Sequence, residues 1–93
     1  GLTDCVDAAR HDEFNQWYDE VHAGDVLRSG LYWSARRYRR IGQEEGPGTY
    51  AALYETESAG RETFVQLMRH YREHPSPMSD VCTVRHVWTF DRI

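Results

Sequence analysis

The sequence contains no lysine: all eleven fixed cations are arginines, set against fifteen carboxylates, for a formal net charge of -4 over 93 residues. That absence removes Schiff-base and lysine general-base mechanisms, which need a deprotonatable amine. The acidic balance argues against nucleic acid as a partner, because phosphates demand a basic footprint. Long apolar stretches are missing too. No run approaches the ~20 residues that cross a bilayer, and no basic-then-apolar leader opens the chain, so the expectation is a soluble, cytoplasmic protein with no membrane partner. Cysteine is sparse: Cys5 and Cys82 lie far apart in sequence. They read as free thiols, and neither has a second cysteine near enough for a zinc site. There is no GxGxxG, phosphate loop, GxSxG elbow or CxxC. Nucleotide and covalent chemistry lose their usual footing, and no cofactor is expected.

What is present is aromatic. Hydrophobic residues make up 40% of the chain and aromatic ones 13%, a composition that folds rather than stays disordered. A chain of this size hides roughly 65% of its unfolded surface, enough for one modest core and one domain over residues 1–93.

Leu2 to Val6 reads as a short first strand, abrupt enough to suggest that a natural extension ahead of it has been removed. From Asp7, a possible N-cap, the pattern becomes helical: Phe14, Trp17, Tyr18 and Val21 fall at i, i+3, i+4 and i+7, with acids on the remaining arc. Gly24 should interrupt the run and Asp25 cap a further short turn to Leu27, closed by Gly30. Residues 31–41 read as a strand ending in Arg36, Arg37, Tyr38, Arg39 and Arg40. GQEEGPG, residues 42–48, is a loop, and residues 49–57 suit a second strand antiparallel to the first. A helix from about Ser58 to Arg72 repeats the stripe in Phe64, Leu67, Met68 and Tyr71. The last segment, 81–93, alternates Cys82, Val84, His86, Trp88 and Phe90 on its more hydrophobic face. The order strand, helix, strand, strand, helix, strand predicts an α+β, ferredoxin-like βαββαβ fold, a four-stranded antiparallel sheet with two helices on one face. Its bare face would be covered most economically by a second subunit, giving a homodimer.

Four residues, His22, Tyr18, Arg37 and His86, carry the candidate chemistry. His22 lies at the edge of the first helical stripe, one turn beyond Tyr18. It reads either as a capping histidine or as a general base at a pocket mouth. Arg37, within the arginine run, reads as edge-strand protection or as a clamp for a carboxylate or an enolate oxygen. His86 is a satisfied core or interface histidine, or a pocket acid/base. A facial metal triad of His22, His86 and a carboxylate lacks a closely spaced histidine pair to anchor it, so no metal is expected. What remains is a site that positions an aromatic or polyketide-like molecule, with walls from Phe14, Trp17, Trp33, Tyr38, Tyr50, Tyr54 and Trp88.

The stretches DEFNQWYDEVHAGDVLRSG, ARRYRR and YAALYETE resemble the dimeric α+β-barrel superfamily, especially its EthD-like branch. Members of that branch carry an acid-Phe-Asn-x-Trp-Tyr-Asp-x-x-His helix and an Arg-Tyr strand. The matching positions are Glu13, Phe14, Asn15, Trp17, Tyr18, Asp19 and His22, then Arg37 and Tyr38. The resemblance implies a homodimer whose two sheets form a barrel, with a cavity between sheet and helices in each subunit. Relatives include small cofactor-independent enzymes that cyclise or aromatise polyketides, isomerise lactones or oxidise quinol-like substrates. His22 matches the histidine that often points into the cavity, while AGD replaces the proline-containing stretch that usually follows it. The resulting expectation is a cyclase or isomerase in which His22 moves the proton while Tyr18, Arg37 or His86 stabilises charge on oxygen. A cofactor-free monooxygenase of a phenol and a noncatalytic binding or assembly module are the alternatives.

Overall fold

A computed structural model describes residues 1–42 and 45–93. Gln43 and Glu44, part of the expected 42–48 loop, lie outside the described residues. Four strands form one antiparallel sheet: β1 (Leu2–Cys5), β2 (Ser34–Arg39), β3 (Tyr50–Glu55) and β4 (Cys82–His86), in the order β2-β3-β1-β4. Between β1 and β2 the chain is helical without a break, as α1 (His11–Trp17), a π-helical turn (Tyr18–His22) and α2 (Ala23–Arg28); α3 (Gly60–Glu73) joins β3 to β4. This is the expected α+β, ferredoxin-like arrangement. None of the described helices is long and apolar enough to cross a membrane.

The ladders sort the side chains into two faces. Ala35 and Arg37 of β2 stand opposite Tyr54 and Ala52 of β3, and Thr3 of β1 stands opposite Tyr50. These residues share the inner face, under the helices. Tyr38 opposite Ala51, Arg36 opposite Leu53, and Leu2 opposite Ala51 share the outer face. The core lies between the inner face and the first helical stretch: Phe14, fully buried, packs with Tyr18, Ala23, Tyr50, Ala52 and Val81.

Several local expectations are corrected. Gly24 does not interrupt the first helix but sits inside α2. Asp7 is not the N-cap. Arg10 holds that position without a side-chain bond, while Asp7 Oδ1 accepts the Ala9 N–H at 2.9 Å in the turn before it. The buried stripe runs Phe14, Tyr18, Ala23, Val26 rather than ending at Val21. The step of five belongs to the π turn, where the Ala23 N–H bonds to Tyr18 O, five residues back. Both middle strands are shorter than expected, at 34–39 and 50–55. On α3 only Thr63 and Leu67 are buried, because a cavity rather than packed side chains lies beneath Phe64, Met68 and Tyr71.

The largest correction concerns the last segment. β4 stops at His86, and the pairing with β1 slips between Leu2 and Thr3: Thr3 meets Val84, but Leu2 meets His86. Arg85 is the extra residue of this bulge. One inserted residue moves every later side chain to the opposite face, so His86 leaves the face it was expected to share with Val84 and stands with Leu2 on the outer side.

Candidate functional site

The first helical stretch is fastened to β2 through Arg37. Its guanidinium donates from Nη1 to Asp19 Oδ1 at 2.9 Å and from Nη2 to Asn15 Oδ1 at 2.8 Å. Its central carbon lies 4.2 Å from the centre of the Tyr18 ring, a cation-π contact that is strong when, as here, the cation is largely withdrawn from water. Asn15 Nδ2 in turn donates to His11 O at 2.9 Å and to Tyr50 Oη at 3.3 Å. Four of the motif residues, Asn15, Tyr18, Asp19 and Arg37, thus form one bracket between helix and sheet.

The π turn starts on this bracket. Tyr18 is held by Arg37 from below, and His22 packs edge-on against it with ring centres 4.9 Å apart. On its other side His22 stacks on Trp17 at 5.2 Å, while the Trp17 indole N–H donates to Pro77 O at 3.1 Å. The histidine is therefore fixed between two aromatic rings. Its Nδ1 is buried with no hydrogen-bond partner. Burial pushes the imidazole pKa below its ordinary value; the Asp25 carboxylate opposes that shift only in part. At neutral pH the ring is uncharged and free to accept a proton.

Tyr18 and His22 form part of the wall of a cavity of about 730 Å³ between the inner face, α2 and α3. Four more tyrosines, Tyr32, Tyr38, Tyr54 and Tyr71, line it, and most of the remaining wall is apolar, with Val26, Phe64, Leu67 and Met68 among its members beside Thr3, Thr89 and Gly1. No carboxylate or guanidinium belongs to this wall among the described residues. The phenols are coupled: Tyr54 donates a long bond of 3.4 Å to Tyr18 Oη, and Tyr32 packs on Tyr54 with ring centres 5.8 Å apart. Burial raises the pKa of Tyr18 and of Tyr54, and pushes Tyr71 up to about 12. All three stay protonated at neutral pH, as hydrogen-bond donors. The Tyr71 hydroxyl is buried and has no partner.

The remaining candidates fall elsewhere. Phe14 and Tyr50 are buried in the core, with Tyr50 Oη 2.6 Å from His11 Nδ1, and neither reaches the cavity. Trp17 backs His22 without lining the cavity, and Arg37 acts from behind Tyr18. Trp33 is exposed and away from it. Tyr38 and Trp88 do line it, at its open side. His86 does not; it is exposed and lies against Trp88, ring centres 4.0 Å apart. His22 and His86 are not brought together. Sequence reasoning missed Tyr32 and Tyr71 as wall residues, although Tyr71 belongs to the apolar stripe of α3, whose spacing could have placed it. At the end of α3, His70 and the capping His74 stand with ring centres 4.9 Å apart. They border a smaller hollow of about 330 Å³ with Asp25 and Arg28, yet no group of three metal-ligating side chains forms among the described residues. Cys5 and Cys82 are free thiols standing opposite each other in the β1–β4 ladder.

The molecule is thus an α+β, ferredoxin-like domain with a mostly apolar cavity carrying one neutral imidazole and several phenols. It belongs to a family described as a domain of unknown function, DUF4286, whose model matches residues 2–81. No curated protein and no solved structure matches the chain.

Proposed function

We propose that the protein is a small cofactor-independent enzyme that binds an uncharged aromatic or polyketide-like substrate and catalyses proton transfer coupled to cyclisation or isomerisation. The observation that carries this reading is the position of neutral His22 in the wall of a mostly apolar cavity that it shares with the buried phenols of Tyr18, Tyr54 and Tyr71. An imidazole desolvated in this way takes a proton from a carbon acid such as the methylene of a 1,3-diketone. The electron pair left behind moves onto the carbonyl oxygen, where a phenol donates to the enolate. The phenols that line the cavity, Tyr18, Tyr32, Tyr54 and Tyr71 among them, are the donors within reach of such an oxygen. Arg37 is a positioning residue: it fixes Tyr18, and Tyr18 fixes His22. The resemblance to the EthD-like branch supports the same chemistry and adds a homodimer whose subunits meet near their outer sheet faces.

Deuterium exchange at the acidic carbon of aromatic 1,3-diketones, followed by NMR in D2O, tests the proton-transfer step without knowledge of the physiological substrate. The protein should accelerate the exchange. His22→Ala should reduce that acceleration by roughly 100-fold or more, and Tyr71→Phe by a smaller factor. Exchange that proceeds equally fast in His22→Ala removes the histidine from the mechanism. The dry cavity would also suit oxygenation of a phenol, and a product that forms only in the presence of oxygen would select that reaction.

A further inference from the structure

The end of the β1–β4 ladder brings two sulfurs together. Cys5 is the last residue of β1 and Cys82 the first of β4, and they face each other across the antiparallel pair. The next rung outward carries a backbone bond, from the Val6 N–H to Val81 O at 2.9 Å. Bonded and unbonded rungs alternate in such a ladder, so Cys5 and Cys82 form an unbonded one, where opposite Cα atoms approach to about 4.5 Å and side chains lie closest. The Cys82 N–H accordingly turns away from β1, donating to Ser79 O at 3.2 Å. A disulfide joins Cα atoms roughly 4.4–6.8 Å apart. The rung meets that requirement, and as the terminal one of both strands it has room to widen.

The surroundings leave the pair reactive rather than committed. Both side chains pack against the core cluster that holds Phe14, Tyr18 and Val81. Each residue is nevertheless only half-buried, and β4 is an outermost strand of the sheet, so a small reagent reaches the sulfurs from that edge. Cys5 Sγ makes a weak donation to Asp7 O at 3.3 Å, a bond that ionisation of the thiol would release.

The two sulfurs also sense each other. Burial pushes the Cys82 thiol above its ordinary pKa, and the neighbouring Cys5 adds to that shift. A Cys5 thiolate therefore makes Cys82 harder to ionise, whereas a Cys5 capped as a neutral mixed disulfide removes the repulsion. This sets an order of events in which Cys5 reacts first and Cys82 second.

We propose that Cys5 and Cys82 are a modification site, a dithiol that closes to a cross-strand disulfide by exchange with a low-molecular-weight disulfide such as glutathione disulfide. The Cys5 thiolate attacks one sulfur of the reagent, whose S–S bond breaks, and one glutathione leaves. The Cys82 thiolate then attacks Cys5 Sγ in the mixed disulfide and displaces the second glutathione. The protein gives up two electrons and two protons, and the reagent takes them up as two thiols. The new bond ties β1 to β4 and closes a loop that holds most of the chain, the case in which a cross-link restricts the unfolded state most. Reducing surroundings keep the dithiol seen in this structure, and oxidising ones close it.

The test equilibrates the purified protein at about pH 8, near the ordinary thiol pKa, with mixtures of glutathione and glutathione disulfide. Acid-quenched samples are read by intact mass and peptide mapping. The product should be lighter by two hydrogens, carry no glutathione and yield the Cys5 and Cys82 peptides joined, and dithiothreitol should restore the dithiol. The same equilibrium in urea reports on the unfolded chain. The folded protein should favour the disulfide over that reference by roughly 100-fold or more, and Tm of the oxidised form should rise by several degrees. Cys82→Ser should stop at a glutathione adduct on Cys5. A disulfide no more favoured in the folded protein than in urea overturns the proposal. So do stable glutathione adducts on both cysteines of the wild type, or a bond formed between two chains. None of these readouts involves catalysis, so failure of the enzyme reading leaves this result standing on its own.

Discussion

At His22 one physical cause produces two effects. Sandwiching the ring between Trp17 and Tyr18 leaves Nδ1 without a partner and also disfavours the imidazolium. The folded pKa lies below the unfolded one, so between the two values the unfolded chain binds a proton that the folded chain refuses. This group's contribution to stability is therefore complete above about pH 6.5 and declines as the pH falls towards the folded pKa. Urea titrations from pH 8 to pH 5 should show a loss of stability in wild type that is smaller in His22→Phe. The acid limb of the exchange rate should correspondingly lie below about pH 6.5; a limb at or above that value would mean that the imidazole is not desolvated in solution. The motif that includes His22 was visible in the sequence, but its division of labour was not. Phe14 is core, Asn15, Asp19 and Arg37 form the bracket, and Tyr18 and His22 from the helix and Tyr38 from the strand line the cavity, because the spacing of residues does not say which side of a helix is covered by what.

Among the elements, β1 carries more than its four residues suggest. Asp4 is nearly buried, and its carboxylate accepts the Gly48 N–H at 2.9 Å, the Thr49 N–H at 2.7 Å and Arg85 Nε at 2.8 Å. It thereby fixes both the entry to β3 and the bulge of β4. Gly48 enters the turn at φ +92°, a conformation open to glycine. Burial alone would raise the carboxyl pKa, but these three donors overrule it and hold the group far below the usual carboxylate range. The stability it contributes is present above the unfolded value of about 3.9 and is lost as the pH falls below it. Asp4→Asn turns an amide N–H towards donors and should cost about 2–3 kcal/mol, lowering Tm by roughly 10 °C or more in a thermal melt at pH 7. A loss below about 0.5 kcal/mol, the level of an ordinary surface change, would show that the cluster is solvated. The bulge and the π turn are also the two places where periodic reasoning went astray. Each inserts one residue, and a single insertion rotates everything after it, taking His86 off the inner sheet face and bringing Ala23 and Val26 into the buried stripe of the helix.

For the whole molecule the outer sheet face sets the expectation. Tyr38 is 53% exposed and Leu53 45%, on a face flanked by the ion pairs Arg36–Glu55 at 3.5 Å and Asp4–Arg85 at 2.8 Å. Apolar groups at the centre with paired charges around them suit a self-complementary contact in which residue meets residue across a twofold axis. Sedimentation should find a dimer at tens of micromolar, a range typical of modest interfaces, and Leu53→Arg should shift it to monomer without altering the fold. A wild-type protein that sediments as a monomer at that concentration would dismiss the proposed homodimer. The arginine run is no longer one feature at this scale: Arg37 turns inward to the bracket, Arg36 pairs on the outer face, and Arg40 donates to Gly46 O at 3.1 Å.

The order of elements and the ferredoxin-like fold were legible in the sequence by itself, because helical and extended stretches differ in period and the period is a local property of the backbone. The absence of lysine likewise settled that fixed positive charge here means guanidinium. Only the tertiary structure decided which aromatics became core and which became cavity wall, and that His22 and His86 stand apart. Those outcomes depend on contacts between residues distant in the chain, and on single-residue insertions in a helix and a strand that leave no mark in composition.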